Sequence, residues 1–163
     1  MRKTVLIILA LAVLLSVGIS VACARTGTYD RILQPTSRDG VRTLQQEVAE
    51  GRQQARDLQK LTKLKLEQVK VRLNENRQEP ERLTSQEVTL VRQHLSLIKK
   101  KRTALDRTAG MIRAKTIDLR IHIRQRNLAA VKSDLEAIIR IQNHRIALLR
   151  DINASLDTIL AVL

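Results

Sequence analysis

Apolar residues in this chain recur at helical spacing over three long stretches, each bounded by a polar or helix-breaking run. Val41, Leu44, Val48, Ala55, Leu58, Leu66, Val69 and Leu73 follow three- and four-residue steps or their multiples, with Leu61, Leu64 and Val71 widening the stripe. That pattern predicts an amphipathic helix over about 41–77. It ends in the polar run from Asn74 to Glu79 and then Pro80, which cannot sit inside a helix without losing a backbone hydrogen bond, so a turn is expected there. Thr84-Ser85-Gln86-Glu87 has the form of a capping box and opens a second helix over about 84–126. Its seam of Val88, Val91, Leu95, Ile98, Leu105, Ala109, Ile112, Leu119 and Ile123 alternates by heptad positions, broken by Arg102 and Thr116, which implies packing of helix on helix. Leu90, Leu97, Ala104 and Met111, joined by Ala114, Ile117 and Ile121, form a second apolar face. This suggests that the second helix is central, with a neighbour on each side. Gly110 falls off both seams and reads as a tolerated weak point.

The seam loses register after Ile123, which places a turn near Arg126-Asn127. Asn127 can cap a third helix over about 128–162, with Ser133 to Glu136 as a competing start. The third stripe is Leu128, Val131, Leu135, Ile138, Ile139, Ile146, Leu149, Ile152, Leu156 and Ile159, interrupted by Gln142 and Arg145. Short turns between long amphipathic helices force antiparallel neighbours. The expected fold is therefore all-α: an elongated antiparallel three-helix bundle over 41–163 with coiled-coil-like packing, about 50–60 Å long at 1.5 Å per residue.

The first forty residues follow other rules. Met1-Arg2-Lys3 is a basic head, and Val5 to Ala22 is an apolar run, the layout of a secretion signal. Ser20-Val21-Ala22-Cys23 resembles the lipobox of bacterial lipoproteins, where small residues precede a cysteine that is acylated and becomes the new N-terminus. The resemblance implies a signal peptide over 1–22, lipidation at Cys23, and a place in the cell envelope, anchored on the extracytoplasmic side of a membrane. Two alternatives stay open. Ala22-Cys23-Ala24 also reads as an ordinary cleavage site, giving a soluble secreted or periplasmic protein, and an apolar run of about 18 residues can just span a bilayer uncleaved. A single cysteine excludes a disulfide within the chain. Residues 23–40, with Gly27, Pro35, Thr36, Ser37, Asp39 and Gly40 and no helical period, read as a polar tether.

Composition sharpens this picture. The chain has no Phe, no Trp and one Tyr among 163 residues, so its core must come from Leu, Ile, Val and Ala. Without aromatic platforms, the stacking that single-stranded nucleic acid readers use is missing, and no nucleic-acid partner is expected. The formal charge is +14, and removing Arg2 and Lys3 leaves 28 basic against 16 acidic residues, or +12. This excess is uneven. The first helix carries nine basic and five acidic residues, the second eleven and three, and the third four of each, giving +4, +8 and 0.

Motifs for catalysis are not found: no Gly-rich phosphate loop, no nucleophile elbow, no HExxH. The helical register sets His122 level with Val131, His144 with Ala109 and His94 with Ile159, so no histidines converge and no metal or other cofactor is expected. Asp106, Asp118, Asp134, Glu136, Asp151 and Asp157 read as exposed partners for the surplus of arginines. The reading is therefore of a non-enzymatic protein. Arg92, Lys99, Arg113 and Arg120 repeat at multiples of seven, interrupted by Asp106, with Lys100 and Arg107 beside them. These six make a basic edge suited to anionic lipid or an envelope polymer, although the same residues would serve as a solvated face. A structural or scaffolding role through homo-oligomers or partner helices is the alternative, with Arg102, Gln142 and Arg145 fixing register or lying with their stems along the bundle edge. A periplasmic holdase uses the same features.

Overall fold

The computed structural model describes residues 35–78 and 83–163, with side chains over 40–76 and 83–163. The signal segment, Cys23, the tether as far as residue 34 and the turn at Pro80 lie outside the described residues. Three helices account for nearly everything else: α1 (Pro35–Gln78), α2 (Ser85–Arg124) and α3 (Leu128–Val162). They form an all-α antiparallel three-helix bundle, as the apolar stripes predict. α1 starts six residues earlier than its stripe, so 35–40 are helix and not tether. Pro35 suits a first helical position, where its missing N–H goes unused, and Gly40 is exposed with open space where a Cβ would stand. The run from Pro35 to Gly40 contains no apolar stripe, which is why the pattern does not announce this part of the helix.

The chain divides into two compact units, each taking one segment from every helix. The cap unit comprises Asp57–Leu105 and Leu148–Leu163. At its α2 start the capping box forms as expected: the Thr84 amide donates to Glu87 Oε2 at 2.7 Å, and the Glu87 amide donates to Thr84 Oγ1 at 3.3 Å. These bonds, the hydroxyl of Thr84 first, hold the Glu87 carboxyl below its ordinary value. The core of the unit is aliphatic, and Val69, Val91, Leu149, Leu156 and Ile159 are its most completely enclosed side chains. Neutral polar groups line it and spend themselves on backbone: Asn153 donates to the Leu58 and Leu149 carbonyls, and Asn76 to the Leu163 carbonyl. Together with the Lys65–Asp157 ion pair at 2.6 Å, these contacts rise in number together on α1 and α3, which run parallel here.

The turn unit comprises Asp106–Ala147 and α1 as far as Arg56. Arg126 sits at φ 56°, its amide donates to the Ile123 carbonyl, and the Asn127 amide donates to the His122 carbonyl. This is a Schellman ending, with Arg126 in the left-handed position usually given to glycine. Asn127 then caps α3, its Oδ1 accepting from the Ala130 amide at 3.1 Å, which settles the start of α3 against Ser133. Val41, Val48, Val131, Leu135 and Ile138 form the core, with Leu44, Leu119, Ile123 and Ile139 packed against it. The His122–Asp134 and Thr108–Arg145 contacts fall on α2 as they rise on α3, so these helices are antiparallel.

In both units α3 is the most buried helix, which corrects the expectation that α2 is central. A single stripe suffices to meet two neighbours, so the second apolar face of α2 is left outside. In the turn unit Thr108 is the fully buried residue of α2, Ala109 is exposed, and Ile112, Leu119 and Ile123 are half-buried. The buried face of α2 there is centred about one residue before the position the heptad seam marks, with Thr108 inside in place of Ala109.

Candidate anionic-surface interface

All six cations singled out on α2 are exposed. Arg92, Lys99 and Lys100 belong to the cap unit; Arg107, Arg113 and Arg120 belong to the turn unit. The acidic groups near them are engaged elsewhere. Asp151 pairs with Lys101, Asp118 with Lys115 at 2.9 Å, and Asp106 lowers the cost of the Arg145 charge, which burial disfavours. Lys99, Lys100, Arg107, Arg113 and Arg120 make no ion pair with any described residue.

The turn-unit trio has company that the charge pattern alone does not show. Arg124 is also exposed, and the heptad rows Arg107-Ala114-Ile121 and Gly110-Ile117-Arg124 lie side by side on the outer surface of α2. Met111, Ile117 and Ile121 are 54%, 52% and 44% exposed. Reading apolar residues as buried until shown otherwise hid this patch. The available signal was that Ile117, Ile121 and the arginines share rows seven residues apart. The cap unit has exposed apolar residues too, Leu61, Leu64 and Val71 on α1 and Leu97 on α2, and those on α1 stand among acidic and basic residues alike, including Glu67, Arg72 and Glu75.

One cluster of titratable groups was not foreseen. Asp134 is 5% exposed, not a surface partner for arginine, and its Oδ2 lies 2.6 Å from His122 Nδ1. Lys115 approaches its other oxygen at 3.5 Å, and Asp118, followed by Asp134, raises the Lys115 ammonium above its ordinary value. Arg145 on Thr108 keeps the expected level of α2 against α3, and the His122 ring reaches about one turn along α3 from Val131 to meet Asp134. Gln142 and Arg145, the polar interruptions of the third stripe, bond within the unit: Gln142 Nε2 donates to the Val48 carbonyl at 3.2 Å, its buried Oε1 being without a hydrogen-bond partner, and Arg145 donates to Thr108 Oγ1 at 3.0 Å. Gly51 makes room for this, since a Cβ there would stand 2.8 Å from Gln142 Oε1. Among the described residues no group of three or more His, Cys, Asp or Glu side chains is placed to hold a metal, and no helix is long and apolar enough to cross a membrane. No protein-family model, curated protein or solved structure matches the chain.

Proposed function

We propose that this chain is a non-enzymatic protein of the bacterial cell envelope, anchored through acylated Cys23, whose basic helical bundle binds anionic envelope surfaces or polymers. The observation that carries the reading is the state of α2: five of its six singled-out cations are exposed and free of ion pairs with described residues. Charges left in this way cost little in water and are available to phosphate or carboxylate groups. Association would then be steered by charge and screened by salt over a Debye length of about 10 Å at 0.1 M.

Binding of the mature protein to a polyanion such as polyphosphate, followed against salt, tests it. Reversing Arg92, Lys99, Arg113 and Arg120 to Glu should abolish binding while circular dichroism stays helical, and reversing Lys132, Arg140 and Arg150 on α3 should matter much less. Equal losses would mean that net charge alone drives association. For the anchor, the processed wild type should partition into detergent, while the Cys23→Ser chain should either stay an uncleaved precursor or become soluble; a mature wild-type mass beginning at Arg25 would contradict acylation.

The scaffolding alternative draws on a separate observation, the exposed Leu61, Leu64 and Val71 of α1, spaced as a helix-pairing seam in mixed-charge surroundings. Light scattering decides: a stable oligomer that Leu64→Glu dissociates, with no polyanion binding, would favour it.

A further inference from the structure

We propose that the outer face of α2 in the turn unit docks on an anionic lipid bilayer, with Met111, Ile117 and Ile121 entering the acyl boundary and Arg107, Arg113, Arg120 and Arg124 holding lipid phosphates. This rests on the reading above and deepens it, by naming a membrane surface as the anionic partner of one particular face.

Three observations converge on it. The first is the layout. Ala114, Ile117 and Ile121 form an outward apolar stripe closed at its two ends by Arg107 and Arg124, a length of about 26 Å at 1.5 Å per residue, with Arg113 and Arg120 along one side and Met111 along the other. A helix lying in a bilayer interface has this arrangement: apolar side chains facing inward, and long cationic ones reaching the phosphate level from beside them. Guanidinium groups match phosphate oxygens with paired donors, which makes arginine the apt residue at that depth.

The second is charge. Between Arg107 and Arg124 the one acidic residue is Asp118, which Lys115 already holds at 2.9 Å. A second copy of this chain set against the same face would bring four arginines onto four arginines. The patch is therefore ill-suited to symmetric self-association, whereas an anionic bilayer offers both an apolar interior and compensating phosphates. The Leu61, Leu64 and Val71 surface, in mixed charge, has no such bias.

The third is the place of the patch along the chain. It belongs to the same unit as the start of α1, where Val41 packs with Val131 and Leu135 just after the α2–α3 turn. From Cys23 to Pro35 is twelve residues, which cannot reach farther than about 43 Å even fully extended. An acyl chain on Cys23 therefore confines this unit, with its apolar and arginine-lined face, to the neighbourhood of the membrane.

The experiment exploits the absence of tryptophan from the chain. The full-length protein carrying Ile117→Trp is reconstituted into vesicles of phosphatidylcholine with or without phosphatidylglycerol, and a Leu64→Trp protein serves as the reference. Ile117→Trp should emit blue-shifted light and be quenched by brominated acyl chains when phosphatidylglycerol is present, and much less without it; Leu64→Trp should stay accessible to aqueous iodide in both. Replacing Arg107, Arg113, Arg120 and Arg124 by Gln should cut lipid quenching by about tenfold or more, and Met111→Ser with Ile121→Ser should do the same while leaving polyphosphate binding unchanged. Water-like emission from Ile117→Trp on anionic vesicles, alongside intact polyphosphate binding, would overturn the membrane face and leave the general reading standing. Loss of both kinds of binding would overturn both. Burial of Ile117→Trp in the absence of lipid, with an increase in mass, would replace the bilayer by a protein partner.

Discussion

Val69, Val91, Leu149, Leu156 and Ile159, the largest fully enclosed side chains among the described residues, all belong to the cap unit, whereas the turn unit keeps the carboxylate of Asp134 inside and Met111, Ile117 and Ile121 outside. Both units are cut from the same three helices and share one aliphatic alphabet. The difference lies in how α2 is used. In the cap unit it buries Val91, Leu95, Ile98 and Leu105; in the turn unit it buries Thr108 completely and presents half-buried or exposed apolar residues beyond it. The surface most suited to binding thus sits where α2 contributes least to packing. A helix that commits fewer of its apolar residues inward has more of them available outward.

This contrast can be broken most directly by truncation. Leu156→Ala in the cap unit should cost about 3–5 kcal/mol in urea denaturation, the transfer term plus an unfilled cavity. Ile112→Asp, which a heptad seam marks as severe, should be milder than Leu156→Asp because half-buried Ile112 lets a carboxylate reach water, and Leu97→Asp should be nearly silent at 43% exposure. If Ile112→Asp proves as damaging as Leu156→Asp, the two units are equally packed and the comparison fails.

Next in size is the buried carboxylate. Removing both partners, His122→Leu with Lys115→Met, strands Asp134 and should cost about 3 kcal/mol, whereas Asp134→Leu should be close to neutral. Equal stability of the two variants would show that Asp134 reaches water without its partners. Smaller effects come from backbone. Arg126→Gly relieves the φ 56° strain, and Gly110→Ala fills open space on a helix, so each should raise stability by about 0.5–1 kcal/mol. Gly51→Ala should gain less or lose, because its Cβ meets the Gln142 amide.

The smallest effect belongs to the α2 start. Thr84 lowers the Glu87 carboxyl below 4.5, so its contribution is fully present above that pH and is lost as pH falls through the lowered folded value. Amide exchange at the first turn of α2 should accelerate in that acid window in wild type, and Thr84→Ala should remove the pH-dependent step.

Helix number, helix type, antiparallel order and both interior caps were legible from the chain, because 3.6-residue apolar recurrence and side chains that bond to nearby backbone act within a few residues of themselves. Thr84 with Glu87, and Asn127 with Ala130, do what their spacing says. The six cations singled out on α2 were legible as exposed for the same reason, since burying a charge is costly and water is the nearest place to put it. Which apolar residues would be buried was not legible in this way. Ile112 stands on the heptad seam and Ile117 on the second apolar face, and only the packing of α2 against its neighbours decides that the second is outside and the first half-covered. Likewise Asp134 resembles any surface aspartate until the packing of α3 against α2 encloses it and sets it against His122. Burial is a relation between elements, and which face of a helix meets its neighbours is settled by packing over the whole helix and not by any local run of residues.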